Sequence, residues 1–172
     1  MTLPAYTVLS VYHKLNPKVA VMGSVTHTQW NKMQTLKMKG LAGVDEAGNP
    51  TKNLVVEIPQ HFRNTVNVSV GADYAATDTI LLRSGIGYDQ APIKNHSRSI
   101  QLPDSNRFVI SLGTHIQATK TLGIDAGWTH LFISKAKINP PTQKLGTQQV
   151  TTNGAVDGGA DAYSVQLVWD ID

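Results

Sequence analysis

The 172-residue sequence contains no cysteine. Disulfide frameworks, thiolate metal sites and cysteine nucleophiles are therefore excluded. Long apolar runs are missing as well. No stretch of about 18 apolar residues occurs, which excludes a membrane-spanning helix. It does not exclude a spanning β-barrel, whose strands alternate apolar and polar residues. Aromatic residues are scarce at 6% and charged residues few at 16%, but a 41% hydrophobic fraction separates the chain from disordered and collagen-like sequences. The length is a prior for one domain. Basic residues exceed acidic ones only by 15 to 12, and they form no helix-spaced stripe, so nucleic acid is not an expected partner. The opening Met1-Thr2-Leu3-Pro4-Ala5-Tyr6 lacks the basic and apolar regions of a signal peptide. The chain reads as a mature protein or as a piece of something longer.

What is present is a period of two. Val66, Val68, Val70, Ala72 and Tyr74 share one face against Asn67, Ser69, Gly71 and Asp73. Residues 80–89, 108–117 and 122–130 repeat the pattern, and Tyr163, Val165, Leu167 and Trp169 end it. Two less regular strands, about 5–15 and 18–38, come first, which gives seven strands and no helix.

The connections alternate between short and long. Tight turns are expected at Leu15–Lys18, Ala75–Thr79 and Ala118–Thr121; long connections at about 39–61, 90–106 and 136–160 are rich in Gly, Pro, Asn, Thr and Gln. In an antiparallel meander this puts every short turn at one end and every long loop at the other. Outer-membrane barrels segregate their connections in this way. A soluble β-sandwich, such as a ligand-binding module, has no reason to. Tyr74, Tyr88, Phe108, Trp128 and Trp169 sit toward the ends of the apolar faces, as an aromatic girdle requires. The opposite face carries glycines and the charges Asp73, Arg83, Asp89, His115 and Asp125. A charge facing lipid at mid-membrane costs roughly 2–4 kcal/mol, so this face points to the lumen. Seven strands cannot close by the usual even-number rule, and an open sheet leaves unpaired edges in lipid. A missing N-terminal half or a second copy must complete the barrel.

The segment Arg83-Ser84-Gly85-Ile86-Gly87-Tyr88-Asp89-Gln90-Ala91-Pro92, followed by Arg98-Ser99-Ile100-Gln101-Leu102-Pro103-Asp104-Ser105-Asn106-Arg107-Phe108, resembles the C-terminal half of the FadL family of outer-membrane transporters. Leu3-Pro4, Asn16-Pro17-Lys18, Trp30 and Val70-Gly71-Ala72-Asp73-Tyr74 fit the same pattern. The resemblance covers nearly all of residues 1–172 and implies the C-terminal half of a fourteen-stranded antiparallel up-and-down transmembrane barrel in the outer membrane. It implies passive, ATP-independent passage of long-chain fatty acids or hydrocarbons, with detergents as stand-in ligands. The family's N-terminal plug and the strands bearing its lateral opening have no counterpart in the chain. The family also holds the substrate carboxylate with lumenal basic groups. At the place from which one of these comes, the sequence reads Val55-Val56-Glu57-Ile58, with Lys52 upstream and Arg63 downstream.

A fatty acid requires an apolar groove, worth ~0.8 kcal/mol per buried methylene, and a basic group for its head. Lys52, Arg63, Arg98 and Arg107 are the candidate head-group residues, with Leu54, Val56 and Phe62 along the groove and Leu36, Met38, Leu41, Val44, Val55 and Ile58 beside them. Asp73, Arg83, Asp89, Asp104, His115 and Asp125 are expected to be structural charges. Pairing Tyr74 with Ile80 places Gly71 opposite Arg83 and Asp73 diagonal to it; pairing Ile116 with Leu122 places Asp125 diagonal to His115. Ser111 lies about 13 Å from His115 along the strand, too far for a hydrolytic triad. No catalytic residue, metal ligand set or cofactor is expected. A general porin or purely structural barrel is the alternative within membranes. Lys32, Lys37, Lys39, Lys135 and Lys137 are expected at the outer rim of the second and sixth strands, facing lipopolysaccharide, and Asp172 on the periplasmic side.

Overall fold

Alternating sequence becomes a continuous antiparallel ladder. The computed structural model describes residues 3–44, 48–98, 103–138, 143–145, 148–150 and 153–171. Its strands are β1 (Tyr6–Lys14), β2 (Val19–Thr28), β3 (Thr35–Val44), β4 (Pro50–Pro59), β5 (Thr65–Ala75), β6 (Ile80–Asp89), β7 (Arg107–Gln117), β8 (Leu122–Ile138), β9 (Gln143–Leu145), β10 (Gln148–Val150) and β11 (Gly154–Trp169). Seven of them form one sheet in the order β1-β2-β5-β6-β7-β8-β11, each antiparallel to its neighbours. This is an up-and-down meander in chain order, into which the hairpins β3–β4 and β9–β10 are inserted. Ten strand residues at about 3.3 Å each, tilted, span an apolar band of about 25 Å.

The three tight turns repeat one construction. Asn16 Oδ1 accepts from Val19 N at 2.9 Å, Thr77 Oγ1 from Ile80 N at 3.0 Å and Thr119 Oγ1 from Leu122 N at 3.0 Å. In each, the first residue of the next strand offers its carbonyl to two amides. These come from Leu15 and Asn16, Ala76 and Thr77, or Ala118 and Thr119. A side-chain oxygen thus replaces the backbone acceptor that a tight reversal lacks.

That closure shifts the expected registers by two residues. Asp73 lies opposite Arg83 and Gly71 opposite Gly85; His115 lies opposite Asp125. The second strand also ends earlier than expected. β2 stops at Thr28, and a 3-10 turn at Trp30–Lys32 redirects the chain into the separate hairpin β3–β4. Lys37 and Lys39 therefore belong to that hairpin and not to the second strand of the wall. Conversely, β8 and β11 are longer than expected, at 17 and 16 residues, and carry Lys135 and Lys137 on the β8 extension. A bulge between Val156 and Gly158 interrupts their pairing there.

The register keeps like with like. Val70, Ile86 and Ile110 align across β5, β6 and β7 on the apolar face, and Gly71, Gly85 and Ser111 on the other. The apolar face carries a hydrogen-bonded polar group: Asp161 Oδ1 lies 2.8 Å from His130 Nδ1 and accepts from Trp128 Nε1 at 2.9 Å. His130 sits edge-on to Phe132, ring centroids 4.2 Å apart.

Candidate functional site

The turn after β2 and the segment before β5 meet at the long-loop end of the sheet. Gln34 Nε2 donates to Asn31 O and Phe62 O, both at 2.9 Å, and Asn31 N donates to Asn64 Oδ1 at 3.1 Å. His61 adopts φ of 50°, in the left-handed region, which turns the chain so that Phe62 points inward. Phe62 is buried and packs edge-on against Trp30 at 5.7 Å.

Below this pair lies a hollow of about 480 Å³, within the ~300–1,000 Å³ range of small-molecule sites. Trp30, Met33, Phe62, Pro92 and Ile93 supply its apolar wall; Asn67, Asp89, Asp104 and Arg107 supply its polar side. Arg107 Nη2 lies 3.0 Å from Asp89 and 3.5 Å from Asp104. One guanidinium thus stands between two carboxylates. Arg107 Nε and Asn67 Oδ1 are both buried with no partner among the described residues. Both atoms are sealed off from solvent, so the hollow meets Arg107 through its Nη2 side, together with the Asp89 and Asp104 carboxylates.

Asn67 and Asp89 also line a second hollow of about 520 Å³ that continues along the polar face of the sheet. Its floor is Ser69, Gly71, Gly85, Gly87 and Gly113, with Asp73 and Arg83 toward the short-turn end. There Arg83 reaches across β7 to Asp125 at 2.8 Å. The same Asp125 oxygen lies 3.2 Å from His115 Nδ1, while His115 Nε2 faces Gln117 Oε1 at 3.2 Å. Arg83 therefore finds its ionic partner two strands away and not in Asp73. Ser111 shares a hydrogen bond with Thr129 at 2.9 Å, which leaves it outside the His115–Asp125 pair.

The structure disperses the expected head-group residues. Only Arg107 opens on the apolar hollow, with Phe62 on its wall. Lys52, Leu54 and Val56 ride on β4 of the hairpin, where Leu36 faces Ile58, Met38 faces Val56 and Leu41 faces Leu54 to make one apolar side. Lys37 and Glu57 pair on the other side. The Lys37 ammonium holds the Glu57 carboxyl below its usual range, chiefly by the hydrogen bond it donates. Arg63 and Arg98 face a separate polar hollow. Asn67, Met33 and Ile93 escaped the sequence reading. Asn67 looked like an ordinary polar-face residue, and Met33 and Ile93 fell in stretches without alternation.

Comparisons with known proteins agree with this geometry. The model of the family described as outer membrane protein transport protein (OMPP1/FadL/TodX) matches residues 1–170. The chain is 35% identical over 131 residues to the 47 kDa outer membrane protein of Pasteurella multocida strain Pm70, covering 76% of the chain and 28% of that protein. To outer membrane protein P1 of Haemophilus influenzae it is 34% identical over 172 residues, covering 97% of the chain and 35% of that protein. To the long-chain fatty acid transport protein of Salmonella typhi it is 30% identical over 139 residues, covering 81% and 30%. The crystal structure of a Pseudomonas aeruginosa FadL homologue superposes with a TM-score of 0.80 at 30% identity, over 97% of this chain and 36% of that one. The chain spans about a third of the length of the curated relatives it matches.

Proposed function

The chain belongs to the outer membrane protein transport family OMPP1/FadL/TodX, and on that premise we propose that it forms part of a passive conduit for long-chain fatty acids or similar hydrophobic compounds. Its sheet is outer-membrane β-barrel wall, and the soluble-sandwich alternative is set aside. Transport requires no chemistry on the substrate, and no catalytic role is assigned. The strands that complete the barrel attach at the free edges of β1 and β11 and come from an N-terminal part or a second copy.

One observation supports the substrate class: an apolar hollow walled by Trp30, Met33, Phe62, Pro92 and Ile93 that carries one charge cluster, Arg107 between Asp89 and Asp104, on its polar side. Asp89 and Asp104 already neutralise Arg107, so a carboxylate arriving there meets two anions beside one cation. A protonated acid or an alcohol fits better. Its hydroxyl gives a hydrogen bond to the Asp89 or Asp104 carboxylate, and its oxygen accepts one from the Arg107 guanidinium. The tail lies along Trp30, Met33 and Phe62, at ~0.8 kcal/mol per buried methylene. The apolar side of the β3–β4 hairpin offers a first landing surface above this hollow, and the glycine-floored hollow below it leads onward. A conduit needs sites weak enough to release their cargo, and a single neutral hydrogen-bonded head group meets that condition.

Fatty-acid uptake by cells carrying the full gene, compared with a deletion strain, tests the transport assignment; equal uptake removes it. The head-group reading makes its own forecast for purified full-length protein. Above the acid's pKa, apparent affinity for a fatty acid falls about tenfold per pH unit as the protonated fraction falls. Affinity for the matching primary alcohol stays flat. Tighter binding of the ionised acid would show that the head is held as a carboxylate.

A further inference from the structure

The sequence has four arginines. Arg83 and Arg107 each lie against carboxylates. The other two do not. Arg98 is only 4% exposed, yet its Nε donates to Asp104 O at 2.7 Å and its Nη1 to Asn95 Oδ1 and Lys137 O at 2.9 and 2.8 Å. Each acceptor is a neutral dipole. Arg63 donates from Nε to Ala91 O at 3.2 Å and from Nη2 to Asn106 Oδ1 at 3.4 Å, again neutral groups. Among the described residues, neither arginine forms an ion pair, and neither does Lys94.

These three cations border one hollow of about 340 Å³, completed by Asn95, Ser105 and Asn106. Its lining is polar except for Ile93. The nearest acid is already spent: the Asp104 carboxylate lies against Arg107, and only its backbone oxygen turns to Arg98. Taking a guanidinium out of water without a counter-ion is unfavourable, and carbonyl dipoles offset only part of that cost. The arrangement lacks an anion.

We propose that the hollow bounded by Arg63, Lys94 and Arg98 at the long-loop end of the barrel binds a phosphate group. Three formal positive charges suit a dianion better than a monoanion. Arg98 keeps Nη2 and Arg63 keeps Nη1 as donors for tetrahedral oxygens, and the Ser105 hydroxyl adds another donor. The lining excludes the hydrophobic cargo as occupant, because a tail following its head into this site would find one apolar residue. Ile93 is the wall shared with the apolar hollow, so an anion here braces one side of that site from behind. The phosphate comes either from the medium, as the free ion, or from the sugar head group of an outer-leaflet glycolipid.

The test uses the purified full-length protein in detergent. One arm measures binding of labelled inorganic phosphate. The other measures binding to phosphatidylcholine vesicles carrying a diphosphorylated glucosamine lipid, against the same lipid without phosphates. The Arg63→Gln/Lys94→Gln double variant changes two exposed side chains, and heat-modifiable migration verifies its fold. Expected is binding in at least one arm, weakened tenfold or more in the double variant, and in the vesicle arm dependent on the lipid phosphates. Binding of the free ion alone assigns the site to the medium; binding of the phosphorylated lipid alone assigns it to the membrane. No binding in either arm, or binding indifferent to the variant or to the phosphates, overturns the proposal.

Discussion

At the residue scale, two backbone positions decide where functional side chains go. A methyl group added at Gly123 would meet His115 Cε1 at 2.7 Å. The imidazole lies over that glycine, and only there can it face Asp125 and Gln117 together. We predict that Gly123→Ala displaces the ring and destabilises the barrel by about 1–3 kcal/mol, the range for a broken polar network. Gly154→Ala, with nothing within 4 Å of the added carbon, leaves the urea midpoint unchanged. His61 is the second position. Its left-handed φ is tolerable for histidine and poor for a β-branched residue. His61→Val should cost about 1–3 kcal/mol and loosen Phe62, read as increased quenching of Trp30 in a variant that retains only that tryptophan. Neither position was legible from sequence. Gly123 looked like one more lumenal glycine, and His61 sat in a stretch read as loop.

At the scale of elements, β5, β6 and β7 were readable because each alternates over most of its length, with Ser84 and Thr114 as polar exceptions on the apolar face. The registers were not readable, since period two fixes which face a residue takes but not how many residues the turn absorbs. The hydroxyls of Thr77 and Thr119 settle that number. Thr77→Val and Thr119→Val should each cost about 1 kcal/mol, seen as faster amide exchange at Ile80 and Leu122. The lower half of β11 was readable from Tyr163 onward; its upper half, Gly154-Ala155-Val156-Asp157-Gly158-Gly159-Ala160, has too few large side chains to show a period. The β3–β4 hairpin was hidden by its flanking Gly, Pro and Asn, although its apolar residues were noticed singly.

That hairpin also carries a pH signature. Glu57 has a depressed pKa because Lys37 donates to it, so the folded hairpin favours the ionised form. Its contribution is complete above the ordinary carboxylate range and is lost as pH falls through the lower, folded value. Amide protection in β3 and β4 should be flat from neutral pH down to about pH 5 and drop below it. In Glu57→Gln the step should vanish.

At the scale of the whole molecule, the alternation of short and long connections predicts an orientation, with the long loops outside and the short turns in the periplasm. A cysteine at Asp157 should be labelled on intact cells and one at Asp78 should not; the reverse pattern inverts the barrel. The two sheet edges carry a second forecast. β1 and β11 each pair on one side only, and unsatisfied backbone groups in hydrocarbon are strongly unfavourable. The 172 residues expressed alone should therefore insert only as a closed dimer, if they insert at all. A monomeric inserted species in cross-linking would contradict this. The candidate site was legible only in outline. Phe62 and Arg107 could be named from chemistry, whereas their meeting with Asn67 and Trp30 depends on turns that bring distant segments together.

The unbroken ladder from β2 through β5, β6 and β7 to β8 has a consequence for the cargo's route. Every pair there keeps a single register without a bulge, and Arg83 to Asp125 ties β6 to β8 across the strand between them. A molecule leaving sideways into the bilayer needs a seam where neighbouring strands part. This portion of the wall has none, so in the proposed conduit it would steer cargo along the axis. A side door would open at the bulged β8–β11 seam or between strands beyond β1 or β11.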